Sequence, residues 1–191
     1  MSEAELHAPF MGYRGTIGKL VYKKYKGRTI VSLKPGPRTT QSEAALAQQE
    51  TFGKGIAYAK KALAKPAIRA YYEACSKEKD MPIFALMVGD YLNAPSMDEL
   101  DLSEYKGQVG DPIAITTHDD VGVISVEVTL TTMDGTVIEK GQAVEAKVRS
   151  GNWVYIATAP VVQGADIFIE AEGFDRAGNR TVSSANPTVG M

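Results

Sequence analysis

The chain has 191 residues, 44% of them hydrophobic and 23% charged, with a net charge of −2. That is length enough for one large domain or two small ones, and the apolar content excludes a chain disordered throughout. The near-neutral total conceals a dipole, because residues 1–80 hold 15 Lys/Arg against 7 Asp/Glu and residues 81–191 hold 6 against 16. A basic half and an acidic half can dock on each other, on further copies, or on a polyanion.

The opening MSEAELHAPFMGYRG has acids where an export signal needs a basic segment, and no apolar stretch follows it. Synthesis in the cytoplasm without a classical signal peptide is expected, with release inside a particle left open. No run reaches the roughly 18 apolar residues of a membrane span. Two β-rich runs then follow, Ile17–Tyr25 and Thr29–Lys34, flanking Lys26-Gly27, where glycine can take the positive φ of a tight hairpin turn. Eight Lys/Arg and no acid lie between Ala8 and Gln41, with Tyr13, Tyr22 and Tyr25 among them, and Pro35-Gly36-Pro37 ends the second strand.

A helix is predicted from Ser42-Glu43, with Leu46, Phe52, Ile56 and Leu63 on one apolar stripe and Gly53 and Gly55 weakening it. Pro66 opens a second helix carrying Ile68, Tyr71, Tyr72 and Cys75 on one side and ending near Lys77–Asp80. The single cysteine, Cys75, excludes an internal disulfide and reads as a small buried hydrophobe. Pro82 opens a third helix, MPIFALMVGDYL, apolar nearly all round and therefore buried.

Residues 96–108 read as an acidic linker or strand lead-in. The apolar period then becomes two, at Ile113 and Ile115 and again at Val121, Val123, Val126, Val128 and Leu130. Asp134-Gly135 predicts a hairpin with a primed turn. Further strands are predicted over Trp153–Thr158, Ala165–Ala171 and Arg180–Ser184, with Trp153 in the core. The fold class is α+β: an N-terminal β-hairpin with two or three helices over residues 1–95, then an antiparallel sandwich over 101–191.

No P-loop, GxGxxG, HExxH or CxxC is present, and neither His7 nor His118 has a nucleophile signalled beside it. A non-enzymatic protein without catalytic residues or cofactor is expected. Asp119, Asp120 and Asp175 fall in loops that cluster at one end of a sandwich. Their ordinary role is to close turns through backbone hydrogen bonds, and the weaker alternative is calcium ligation. The sharper feature is the hairpin's Lys19, Lys23, Lys24, Tyr25, Lys26, Arg28 and Lys34. These suit a protein interface, a solvated edge that deters strand addition, or phosphate contacts with rings stacked on bases.

Two resemblances add to this. Gly15-Thr-Ile-Gly18-Lys-Leu-Val-Tyr22, Lys26-Gly27-Arg28, Lys34-Pro35 and Ser42 through Phe52 resemble uncharacterised Bacteroidota proteins that join a hairpin-and-helix module to an Ig-like or fibronectin-like one. Gly110-Asp111-Pro-Ile-Ala-Ile, Val121 through Val128, Asp134-Gly135 and Phe174-Asp175-Arg-Ala-Gly178-Asn179-Arg-Thr resemble a bacterial Ig-like domain. Such modules serve in surface, adhesion or virion proteins, and the missing export signal turns the expectation towards a particle.

The resulting expectation is a structural subunit of a repeating assembly, such as a phage-like particle, injection apparatus or filament. Its basic hairpin would dock on the acidic half of a second copy or of another protein, with no membrane involved. A nucleic-acid-associated protein using the same hairpin is the alternative. An adhesin-like module using Tyr155 and Phe174 comes third.

Overall fold

The computed structural model describes residues 13–25, 27–36 and 42–190, and divides the chain into two compact units, Met1–Leu46 and Ala47–Met191. His7 and Lys26 lie outside the described residues.

The first unit holds a three-stranded antiparallel sheet of β1 (Gly15–Ile17), β2 (Leu20–Tyr25) and β3 (Arg28–Leu33). The first predicted strand is broken in two. Gly18, at φ 58°, starts a two-residue turn that pairs Ile17 with Leu20, and a glycine beside a lysine was the available signal. The second turn falls where predicted, pairing Tyr25 with Arg28 across Gly27 at φ 81°.

The second unit begins with three helices: α1 (Glu43–Leu63, whose first residues fall in the first unit), α2 (Pro66–Lys79) and α3 (Ile83–Leu92). The hydroxyl of Ser42 accepts the amide of Ala45 at 3.3 Å, a cap for the exposed first amides. The helix core is Ala59, Ala62, Tyr72, Cys75, Leu86, Met87 and Val88. Leu46 and Phe52, expected on the buried stripe of α1, are half-exposed instead, and burial on that helix falls on Gly55, Ala59 and Ala62. Small residues there allow close approach: a Cβ at Gly55 would press on Tyr91.

The rest is a β-sandwich. One sheet runs β11 (Arg180–Ala185), β10 (Ile167–Asp175), β6 (Val123–Thr132), β7 (Val137–Gln142); the other runs β4 (Ser96–Met97), β5 (Pro112–His118), β9 (Asn152–Ile156), β8 (Val144–Glu145). The two sheets share one core, with Ile113, Ile115, Trp153 and Tyr155 from one and Val126, Val128, Leu130, Ile167, Ile169 and Ala171 from the other. Each large aliphatic side chain removed from water there contributes about 1.5–3 kcal/mol. Trp153 takes its expected core place and donates its indole N–H to the Thr117 hydroxyl.

Of the two readings of residues 96–108 the strand lead-in holds: they contain β4 and a bridge from Asp101 to Ala114, and they bury Tyr105. Two sequence expectations need correction. Asp134-Gly135 closes its hairpin through a four-residue connection rather than a two-residue primed turn, with the Thr132 amide bonded to the Thr136 carbonyl at 2.9 Å. Val121 joins no strand; it is buried in the helix core.

Candidate docking hairpin and buried carboxylate cluster

Strand register sorts the hairpin residues onto two faces. Opposite pairs place Lys23 with Ile30, Tyr25 with Arg28 and Val21 with Ser32 on one face, and Leu20 with Leu33, Tyr22 with Val31 and Lys24 with Thr29 on the other. Lys34 continues the first face, and its amide bonds the Lys19 carbonyl at 2.7 Å. The first face is cationic and aromatic, with Tyr25 62% exposed. The second is largely apolar, yet Ile17, Leu20 and Leu33 remain exposed and Tyr22, edge-on to Tyr13, is the one buried side chain among the unit's described residues. Lys19, Lys23, Lys24 and Lys34 make no ion pair among the described residues. Three strands with one apolar face can be stable on their own, but that face gains most when something covers it.

Within the second unit, the helices meet the sandwich at two loops. Tyr71 donates its hydroxyl to the Val121 carbonyl at 2.9 Å, and Arg176 lies over the Tyr71 ring at 4.1 Å from its centroid. Arg149, after β8, donates to Cys75 Sγ at 3.0 Å and pairs with Glu78 at 2.9 Å. Cys75 is buried, as its place on the helix implied.

At the centre of this joint three carboxylates converge. Asp90 comes from α3, Asp119 from the β5–β6 loop and Asp175 from the end of β10, each offering an oxygen within 4.8 Å of the others. Asp119 Oδ2 accepts the amides of Val121 (2.9 Å) and Gly122 (2.5 Å); Asp175 Oδ1 accepts those of Gly178 and Asn179, both at 2.7 Å. Both therefore close turns, as Asp in such loops ordinarily does. Asp90 is wholly buried and its Oδ2 accepts the hydroxyl of Tyr72, itself wholly buried. The Tyr58 hydroxyl lies 2.8 Å from that of Tyr72 and 3.2 Å from the Arg176 carbonyl. Asn179 spans the joint, its amide nitrogen donating to the Asp90 carbonyl at 2.9 Å and to Asp175 Oδ2 at 2.7 Å.

Burial, and then the charges of Asp119, Asp175 and Asp120, push the Asp90 carboxyl up to about 7 against the opposing bond from Tyr72. Burial also raises Asp175, against its bonds from Asn179 and Gly178. Tyr72 is raised by burial first and then by its bond to Asp90.

Of the residues singled out for calcium, the structure thus brings Asp119 and Asp175 together and leaves Asp120 out. Asp120 is exposed and takes the side-chain amide of Asn93 at 2.9 Å. Asp90 was missed, although a carboxylate in the otherwise apolar run IFALMVGD was itself a signal, since a buried charge demands a partner. His118 is exposed and lies 3.0 Å from Asp98. Tyr155 is buried and donates to Glu139, and Phe174 is partly buried in β10, so neither presents a freely exposed ring.

No family model matches the chain, and no curated protein does. A solved structure titled as a tetra-tandem repeat in the extending region of a large adhesion protein resembles 50% of this chain and 24% of its own, at 23% identity and a TM-score of 0.38. The chain thus spans about a quarter of that protein's length, and a likeness this distant decides neither fold family nor activity. Among the described residues no helix is long and apolar enough to cross a membrane.

Proposed function

We propose that the protein is a non-enzymatic structural subunit of a repeating assembly, joined copy to copy by the basic hairpin. The observation that carries this is the amphipathic hairpin sheet: it forms its own unit, exposes cations on one face and leaves apolar side chains uncovered on the other. The charge dipole follows the division into units. Residues 1–46 hold 8 Lys/Arg and 3 Asp/Glu, and residues 47–191 hold 13 and 20.

The occupant that fits is the stretch Asp98–Glu104 of a second copy. Asp98, Glu99, Asp101 and Glu104 are exposed there, and no Lys or Arg occurs from Asp80 to Tyr105. Exposed ion pairs contribute about 0.2–1 kcal/mol each. Four of them reach at most about 4 kcal/mol, which alone corresponds to millimolar affinity. Charge therefore selects the partner and sets salt sensitivity on the cationic face, while burial of Ile17, Leu20 and Leu33 on the opposite face, against a separate surface of the assembly, supplies the strength.

The test is light scattering at low and high salt on wild type, on Lys23→Glu/Lys34→Glu, both on the cationic face, and on Asp98→Lys/Glu99→Lys. Wild type forms particles that shrink with salt, each variant alone stays small, and mixing the two restores assembly. A wild-type monomer at all salts, or particles unaffected by charge reversal, defeats the reading. Absorbance that reveals bound nucleic acid would favour the polyanion alternative.

A further inference from the structure

We propose that Asp90, Asp119 and Asp175 together bind a calcium ion that fastens the helices to the sandwich. This stands apart from the hairpin reading and uses none of its residues.

The first ground is convergence with no counter-charge. Three carboxylates from three separate elements meet, and among the described residues no Lys, Arg or His makes an ion pair with any of them. Of the cationic chains at the joint, Arg176 is engaged over the Tyr71 ring and Arg149 pairs with Glu78. The second, independent ground is unfilled bonding capacity inside the cluster. Asp90 is 0% exposed, and its Oδ1 is buried without a hydrogen-bond partner; Asp119 Oδ1 is likewise buried and unpartnered. Leaving one charged acceptor buried and unpaired costs several kcal/mol, on the order of 2–7 for even a neutral polar group. Turn closure explains only the other oxygen of Asp119, and the Tyr72 bond explains only one oxygen of Asp90.

The donor set decides the ion. All three ligands are carboxylates, with no Cys or His in the cluster, which suits a hard cation and not zinc. Ligand oxygens that all lie within 4.8 Å of one another can share a calcium sphere of about 4.6–5.2 Å diameter. Magnesium demands near-octahedral order and gives up its waters reluctantly, which ligands fixed by a helix, a loop and a strand end are poorly placed to satisfy. Remaining positions fall to water. The bonds from Tyr72 to Asp90, from the Val121 and Gly122 amides to Asp119, and from Asn179 to Asp175 orient the ligands from behind, as outer partners do at metal sites.

The experiment uses the full chain after chelator treatment, and follows melting temperature as calcium chloride is added, with magnesium chloride in parallel. Tyrosine-sensitised terbium luminescence gives a direct binding signal, because Tyr72 touches Asp90. Calcium raises the wild-type melting temperature and quenches terbium emission by displacement. Asp90→Asn and Asp175→Asn weaken calcium binding by more than about tenfold, and Asp120→Asn leaves it unchanged. Asp90→Asn removes a buried charge while keeping an acceptor for Tyr72, so the chelated variant still melts cooperatively and its loss of response reports binding. No calcium response in wild type, an equal response in Asp90→Asn, or a loss in Asp120→Asn overturns the site. An equal response to magnesium overturns the choice of ion.

Discussion

In the presence of chelator the joint holds a buried carboxyl that resists ionisation, and this fixes how stability depends on pH. The groups facing Asp90 are Tyr72 on α2, Tyr58 on α1, Asp119 and Asp120 in the β5–β6 loop, and Asp175 with Asn179 at the β10–β11 turn. Only the Tyr72 bond favours the charged form; burial and the neighbouring charges oppose it and carry the carboxyl from its ordinary 3.8 up to about 7. Because the folded value lies above the unfolded one, this group's stabilising contribution is complete below about pH 4 and is lost as pH rises through about 7. The shift corresponds to a loss on the order of 4 kcal/mol across that window. Asp175, also raised, adds to the loss with the same sign. Urea unfolding of chelated wild type from pH 4 to 8 should therefore show falling stability, and Asp90→Asn should remove most of the fall and exceed wild type at pH 8. A chelated wild type whose stability is flat or rises over this range would refute the account of the joint.

Two other predictions concern the sandwich. Glu139 on β7 accepts the Tyr155 hydroxyl at 2.9 Å and the amides of Thr158 and Ala159 at 2.7 and 3.1 Å, so Glu139→Ala strands several buried donors and should cost at least about 2 kcal/mol in urea unfolding. Gly151 sits at φ 72°, and a Cβ there would overlap the Thr117 carbonyl oxygen. Gly151→Ala should destabilise by roughly 1–3 kcal/mol, whereas Gly164→Ala, also at positive φ but with open space, should cost less in the same assay.

Much of the fold was legible in local pattern. Alternation at Val126, Val128 and Leu130 gave a strand with one buried face, and prolines at 66 and 82 marked the starts of α2 and α3. Patterns that depend on a neighbour were not legible. Leu46 and Phe52 have helical spacing, but burial on α1 was decided by where Tyr91 and Val88 approach Gly55. Val121 continues an alternation in sequence and leaves it in space, because the Tyr71 hydroxyl holds its carbonyl against α2. For the carboxylate cluster, loop position pointed to Asp119 and Asp175 and could not separate Asp119 from Asp120. Only the reach of α3 into the sandwich end brings Asp90 to them.

That reach also sets the order in which the molecule can be completed. Asn179 and Asp90 are separated by 89 residues along the chain, and Tyr58 and Arg176 by 118. On the ribosome, the helices emerge long before the strand turn that satisfies the last carbonyls of α3. Local helix formation is fast, but closing loops of this length carries an entropy cost recovered only when β10 and β11 have paired. Until then Asp90 lacks its neighbours from β10, and its carboxylate can remain hydrated. The burial of this carboxyl thus waits on the pairing of β10 with β11, which should make the joint close late in the folding of the second unit.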